Sequence, residues 1–352
     1  MSQVPKQGES SSRLLDRKLG RARVRGGFNP AEMGMAPLPL EMLVAGQPAP
    51  VDFFLPMLSK ETKRVEMSLA AKKGEPYKAA WRKSLLKTGQ KRVFVRLEDG
   101  EALTDYFERH ASDIIDHPDA SLSKKRRIIK EMASLNLRVL FGGDLSPKAL
   151  DNSVQQAQQT VLHLAREAQI LTRLAEVLSA DYSVYAHSVN VCMLAMAFGR
   201  WLGLPESRVR TLGVGGMLHD VGMARLPPGL LDKPGPLTPR EKAVVQRHPQ
   251  AGYKMLLPVG AAPYDVLMIV LNHHENVDGS GYPGHLKGDK TPYLARVIKV
   301  ADAYDAMTSQ RPHRKPKSAV EAANTLLEQM NLYGKDLAPA FVRFLGSPAF
   351  SQ

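Results

Sequence analysis

The chain has 352 residues, 43% hydrophobic and 24% charged, proportions that fit a globular protein of about two domains and exclude a disordered or fibrous one. A single cysteine, Cys192, excludes an intrachain disulfide framework and suits a reducing compartment. The net charge of +13 is concentrated near the start, with 27 Lys and Arg against 18 Asp and Glu in residues 1–150 and 21 against 17 in residues 151–352.

The stretch MSQVPKQGESSSRLLDRKLG contains no apolar h-region. The basic segment RLLDRKLGRARVRGG (13–27) runs into a Gly/Pro/Met-rich stretch, so residues 1–47 read as a solvated basic tail. An anionic partner is the other reading of that charge, but the chain has neither zinc-finger spacing nor an RNA-binding signature, and no DNA partner is expected. The longest apolar runs, near 191–198 and 266–271, fall short of the roughly 20 residues that span a bilayer, which gives an expectation of a cytoplasmic protein.

From about 48 to 110 the pattern predicts a small α/β unit. VDFFLPML and KRVFVRLED have the β-branched and aromatic content of strands, and YKAAWRKSLLKTG between them has helical periodicity with a glycine at its end. Two helices are predicted next, over ALTDYFERHASDIID and SLSKKRRIIKEMASLNLRVLF, the second with a basic cluster at Lys124–Arg127 read as a wet face. GGDLSP (142–147) punctuates the chain, with Pro147 suited to a first helical turn, so the expected domains are 48–145 and 146–352. Beyond it, apolar residues at three- and four-residue intervals in ALDNSVQQAQQTVLHLAREAQILTRLAEVLSA and over 183–202 predict an all-α bundle, with Cys192 a small core residue. The fold expected is mainly α: a helical bundle preceded by a small α/β domain.

This second half concentrates potential metal ligands: His187, His219, Asp220, His248, His273, His274 and Asp302, spread over five predicted helices or helix ends. A lone histidine on an apolar helix is more often a hydrogen-bonded core residue than a ligand. The adjacent pairs His219-Asp220 and His273-His274 are harder to accommodate, because neighbouring helical residues point about 100° apart and burying both requires a polar object to meet them. Two metal ions sharing Asp220 as a bridge, with terminal histidines and a hydroxide between the ions, would meet that requirement. Histidine and carboxylate ligands suit Fe, Mn or Zn, and such a centre implies phosphoester hydrolysis.

The ordered set H…HD…H…HH…D, with HHENVDGSGYP and VADAYDAMTSQRPHR, resembles the HD-GYP family, a branch of the HD phosphohydrolases, over about 180–317. The resemblance implies an HD-type helical bundle, a two- or three-metal centre usually of iron or manganese, and hydrolysis of the bacterial second messenger cyclic di-GMP to the linear dinucleotide or to GMP. By position, the seven residues above match metal ligands, with Asp220 and Tyr282 in the catalytic role. Gly281, Tyr282 and Pro283 match the GYP turn, and Asp181, Arg311 and Arg314 join them as substrate contacts. Glu275 and Asp278 are expected to order the turn. The 48–110 unit resembles a small domain found ahead of some family members and is where a protein partner would dock.

Two departures qualify the resemblance. Members with a third metal place a glutamate where this chain has Ser183, so two divalent ions are expected. The usual HDxGK is HDVGM here, and Met223 replaces a lysine assigned to the phosphate or the leaving oxygen; a thioether can neither pair with phosphate nor carry its proton. Two functions therefore stand side by side: a cyclic di-GMP phosphodiesterase, slowed by Met223, and a receptor or scaffold that binds the dinucleotide or a protein without turnover.

Overall fold

The computed structural model describes residues 30–59, 62, 64–115, 121–142, 145–166, 171, 178, 183–227, 230, 233, 235–310 and 315–351. Its contacts divide the chain into two compact units, Met1–Ala120 and Ser121–Gln352.

The smaller unit is built on an antiparallel sheet of β1 (Met35–Pro39), β2 (Phe53–Leu58), β3 (Val65–Ala71) and β4 (Arg92–Arg96), in the order β1-β4-β2-β3. Helix α1 (Ala79–Lys87) follows β3, and its neighbourhood is organised by aromatic rings. Trp81 stacks on Phe53 at 6.2 Å and meets Tyr77 edge-on at 5.4 Å. Helix α2 (Gly100–Ile115) brings Tyr106, whose hydroxyl accepts from the Val44 amide at 2.7 Å.

The expected strand–helix–strand core, β2, α1 and β4, is present; the pattern did not disclose β1 or β3. Both are edge strands. β1 (MAPLP) carries two prolines, which edges tolerate, and β3 (VEMSLAA) has no fully buried residue and hence no alternation strong enough to read. Because β1 pairs with β4 from Met35 to Pro39, the basic tail does not extend to residue 47; residues 1–29 of that tail lie outside the described residues.

The larger unit is helical: α3 (Leu122–Gly142), α4 (Pro147–Arg166), α5 (Val184–Trp201), α6 (Glu206–Leu218), α7 (Pro239–Val245), α8 (His248–Leu256), α9 (Tyr264–Asn272), α10 (Tyr293–Thr308), α11 (Ala319–Glu328), α12 (Met330–Tyr333), α13 (Leu337–Leu345) and α14 (Pro348–Ser351). Helix α5 is buried from His187 to Gly199, as its apolar run VNVCMLAMAF predicts, and Cys192 is wholly buried within it. Glycines on α6 let this neighbour come close: a Cβ on Gly216 would lie 2.8 Å from the Cα of Cys192. That approach brings the end of α6 against the middle of α5. The Lys233-tied Thr238–Glu241 box and the Ser318–Glu321 box cap α7 and α11.

The expected boundary at 145/146 is corrected to 120/121. Helix α3 packs into the bundle through Ile128, Ile129, Ala133, Leu135, Leu137 and Leu140, all buried, so GGDLSP is a turn between two bundle helices. The basic cluster on α3 is also not uniformly wet, since Arg126 is only 2% exposed. No helix among the described residues is long and apolar enough to cross a membrane.

Candidate metal centre

The seven predicted ligands converge from five places in the bundle. His187 stands one turn into α5, His219 closes α6, and Asp220 opens the 3₁₀ turn Val221–Arg225. His248 begins α8, His273 and His274 end α9, and Asp302 lies mid-way along α10. They form two groups, one of Asp220, His248, His273 and His274 and one of His187, His219 and Asp302, each with its ligand atoms within 4.8 Å of one another.

Asp220 faces both groups. Its Oδ1 lies 3.1 Å from His248 Nε2 and 3.7 Å from His273 Nε2, and its Oδ2 lies 3.3 Å from His219 Nε2. Across the second group, His187 Nε2 and Asp302 Oδ1 are 3.1 Å apart. Glycines make this possible. A Cβ on Gly222 would sit 2.0 Å from the carbonyl oxygen of His248 and 2.6 Å from the amide of Gly252, so only Gly-on-Gly packing lets the Asp220 turn reach α8.

The histidines are aimed by their own helices. Nδ1 of His219, His248 and His273 donates to the carbonyls of Gly216 (2.8 Å), Val245 (2.8 Å) and Val270 (2.9 Å). A carbonyl only accepts, so each Nδ1 carries a proton, and in the neutral ring each Nε2 turns a lone pair into the centre. His248 and His273 bring their Nε2 atoms within 3.1 Å of each other, and the buried His219 Nε2 has no hydrogen-bond partner. Nitrogen lone pairs gathered around a buried carboxylate call for a cation, and the donor set fits a divalent metal.

Charge states fit in part: burial pulls His187 and His219 down, but Asp302 and Asp305 lift the first, and Asp220 the second, above the usual imidazole value. Burial pushes both carboxyls up, yet His219 and His248 hold Asp220, and His187 with His274 and His219 hold Asp302, well below the usual carboxylate range. Burial, reinforced by neighbouring histidines, holds His273 well below its usual value and brings His274 down to about 3. Thus the carboxylates are ionised, and His273 and His274 are neutral at physiological pH, the forms that bind metal.

The GYP turn packs against this centre. Tyr282 stacks on His274 at 4.8 Å, with the rings 27° from parallel, and its amide donates to the His274 carbonyl at 3.3 Å. Gly281 passes so close to the chain that a Cβ would meet the Asn276 amide at 2.2 Å. Pro283 follows across a cis bond. Glu275 and Asp278 order the turn: Glu275 accepts from the amides of Gly284 and Leu286, the latter at 3.0 Å, and Asp278 accepts from the Ser280 amide at 2.9 Å and from Asn331 at 3.1 Å. Asp181, Arg311 and Arg314 lie outside the described residues.

Three residues that the sequence reading passed over stand behind the clustered residues. Asp305 Oδ2 receives His187 Nδ1 at 2.7 Å, Asn190 Nδ2 donates to Asp305 Oδ1 at 2.7 Å, and Lys130 Nζ donates to Asn190 Oδ1 at 2.8 Å. Asp305 and Asn190 each follow a proposed ligand by three residues, a helical spacing that puts them on the same face and could have found them.

A family description, HD domain, matches residues 154–337. The chain is 40% identical over 181 residues to a cyclic di-GMP phosphodiesterase of Pseudomonas aeruginosa, covering 51% of this chain and 44% of that one. It is 39% identical over 157 residues to the cyclic di-GMP phosphodiesterase response regulator RpfG of Xanthomonas campestris pv. campestris, covering 42% and 40%. The chain thus spans less than half the length of these relatives. Among solved structures, an HDG"Y"P protein from Bdellovibrio bacteriovorus superimposes with a TM-score of 0.62 at 18% identity, over 89% of this chain and all of that one, a likeness of fold. With the HD model matched across the helices that carry all seven clustered residues, and with the GYP turn stacked on His274, the chain belongs to the HD domain family and, within it, to the HD-GYP branch.

Proposed function

We propose that the protein is a metal-dependent phosphodiesterase that hydrolyses cyclic di-GMP to the linear dinucleotide or to GMP. The observation that carries this reading is the pair of His/Asp clusters faced by the two oxygens of Asp220, which suits two divalent ions, iron or manganese, sharing one carboxylate. The names and 39–40% identity of the relatives support the substrate.

A bound divalent pair supplies a nucleophile from water at neutral pH and Lewis-acid stabilisation of phosphoryl oxygens. The chain's own residues do the rest. Asp220 holds its negative charge between the clusters, and the backbone carbonyls of Gly216, Val245 and Val270 fix the tautomer and direction of three imidazoles. Tyr282, stacked on His274, holds that ring and forms one wall beside the centre, with Gly281 and Pro283 setting its place; Asp181, Arg311 and Arg314 are assigned to the substrate. The smaller unit receives a regulatory role, as the place where a protein partner docks.

Met223 favours a second reading. It lies in the 3₁₀ turn directly after Asp220, where the family's usual lysine would offer a cation or a proton, and it offers neither. A receptor that binds cyclic di-GMP without turnover follows if nothing replaces that lysine. Protein loaded anaerobically with iron or manganese and given cyclic di-GMP separates the two: linear product is expected, tight binding without product favours the receptor, and turnover of only another phosphoester overturns both.

A further inference from the structure

We infer that Lys130, on a helix ahead of the family match, is a positioning residue for the metal centre and acts through Asn190 and Asp305 on His187. The inference rests on the reading of His187 as a metal ligand.

The argument is one of hydrogen-bond direction. An ammonium has donors only, so the Asn190 atom 2.8 Å from Lys130 Nζ must be its carbonyl oxygen. That settles the side chain's orientation, which an asparagine alone leaves open, since its two ends are nearly the same size. Nδ2 is then left for Asp305 Oδ1 at 2.7 Å. The carboxylate, turned by that bond and by Ser309 Oγ at 3.2 Å, presents Oδ2 to His187 Nδ1 at 2.7 Å. The Nδ1 proton is thereby fixed, and Nε2 is the atom directed at Asp302 and the second cluster. If Asn190 flipped, an NH₂ would face the ammonium and the carbonyl oxygen would face the carboxylate, two repulsions in a buried place. Lys130 is what makes that state costly.

Burial itself opposes a cation here and pulls Lys130 down to about 8, with Asp305 and Glu131 pulling it back up. A lysine kept in such surroundings for packing alone would be better replaced by methionine. The chain also gives the α3 correction a functional content: Lys130 lies outside residues 154–337, yet it belongs to the same compact unit as the centre.

The test is metal affinity, measured by Mn(II) titration of the full chain with total metal checked by elemental analysis. Lys130→Met is expected to weaken binding by about 10-fold, at the low end of the 10–100-fold typical when partners behind a ligand are removed. Lys130→Arg, which keeps a donor, should lose less than about 10-fold, short of the range typical when such a partner is removed. Asn190→Ala should show at least the loss of Lys130→Met, and the double variant should lose less than the sum of the two, because on the inferred route the lysine's effect passes through the asparagine. A lysine that merely supports the bundle would lower the melting temperature and leave affinity unchanged, or give additive losses; either result overturns the inference. If Lys130→Met is insoluble, Asn190→Ala and Lys130→Arg decide it: weakened binding in the first and retained binding in the second support it, and any other pattern overturns it. Wild-type protein that binds metal but leaves cyclic di-GMP intact would refute the proposed activity and not this role.

Discussion

Replacing Gly222 with alanine tests whether the centre is assembled by backbone packing. The new Cβ would meet three backbone atoms, the His248 carbonyl oxygen at 2.0 Å, the Gly252 amide at 2.6 Å and the His248 carbonyl carbon at 2.9 Å. None is the tip of a flexible side chain, so the 3₁₀ turn and α8 must separate by about 1 Å to reach the closest contact that real Cβ atoms tolerate. Asp220 and His248 ride on those two segments with 3.1 Å between Oδ1 and Nε2, and the same separation would pull them apart. Overpacking typically costs about 1–3 kcal/mol, and a backbone-on-backbone clash belongs at the top of that range or beyond. For a unit the size of Ser121–Gln352, about 3 kcal/mol corresponds to a fall in Tm of roughly 6–12 °C. Calorimetry of the metal-free protein and metal analysis of the loaded protein should show that fall together with loss of metal. Gly260→Ala, where nothing lies within 4 Å of the added carbon, should stay within about 0.5 kcal/mol of wild type. A Gly222→Ala protein that melts with the wild type and keeps its metal would refute the packing argument.

Met223→Lys should raise the rate of cyclic di-GMP hydrolysis by no more than the roughly 10²–10⁴-fold of a placed general acid; a stable, metallated variant with an unchanged rate would show that this chain handles the leaving group in another way. A fragment of residues 121–352 should be soluble and bind metal, whereas 146–352 should melt lower or aggregate, because it loses six buried apolar residues of α3, of which the five Ile and Leu side chains contribute about 1.5–3 kcal/mol each. Equal Tm values for the two fragments would contradict the placement of α3 in the bundle core.

The clustering of the seven residues was legible because metal chemistry restricts residue type, and adjacent pairs such as His219-Asp220 and His273-His274 have few other uses when buried. Their grouping was not, since it depends on which side of Asp220 each helix arrives, and that is decided by glycine contacts such as Gly222 on Gly252 that look like ordinary turn residues in the sequence. Helices α4 and α5 were readable from their apolar spacing. Helix α3 was equally readable as a helix but was assigned to the wrong side of a boundary, because GGDLSP has the composition of a linker and serves as a helix-to-helix turn. Lys130 was hidden for a related reason: it lies just beyond the basic cluster Lys124–Arg127 that reads as a solvated face, and only the packing of α3 against α5 turns it inward to Asn190. In the smaller unit, β1 and β3 were missed because prolines and half-exposed polar residues erase the alternation that marks a strand.

Asp220 faces both clusters, and its proposed role as a shared carboxylate is tested most directly by metal stoichiometry of Asp220→Ala beside the wild type. Elemental analysis after anaerobic loading and desalting should find about two ions per chain in the wild type, in keeping with a dinuclear phosphoryl-transfer centre. The variant should lose most of both, with hydrolysis of cyclic di-GMP abolished in the same sample, because the two clusters would lose the anion they both face. Wild-type stoichiometry in the variant would contradict the bridge.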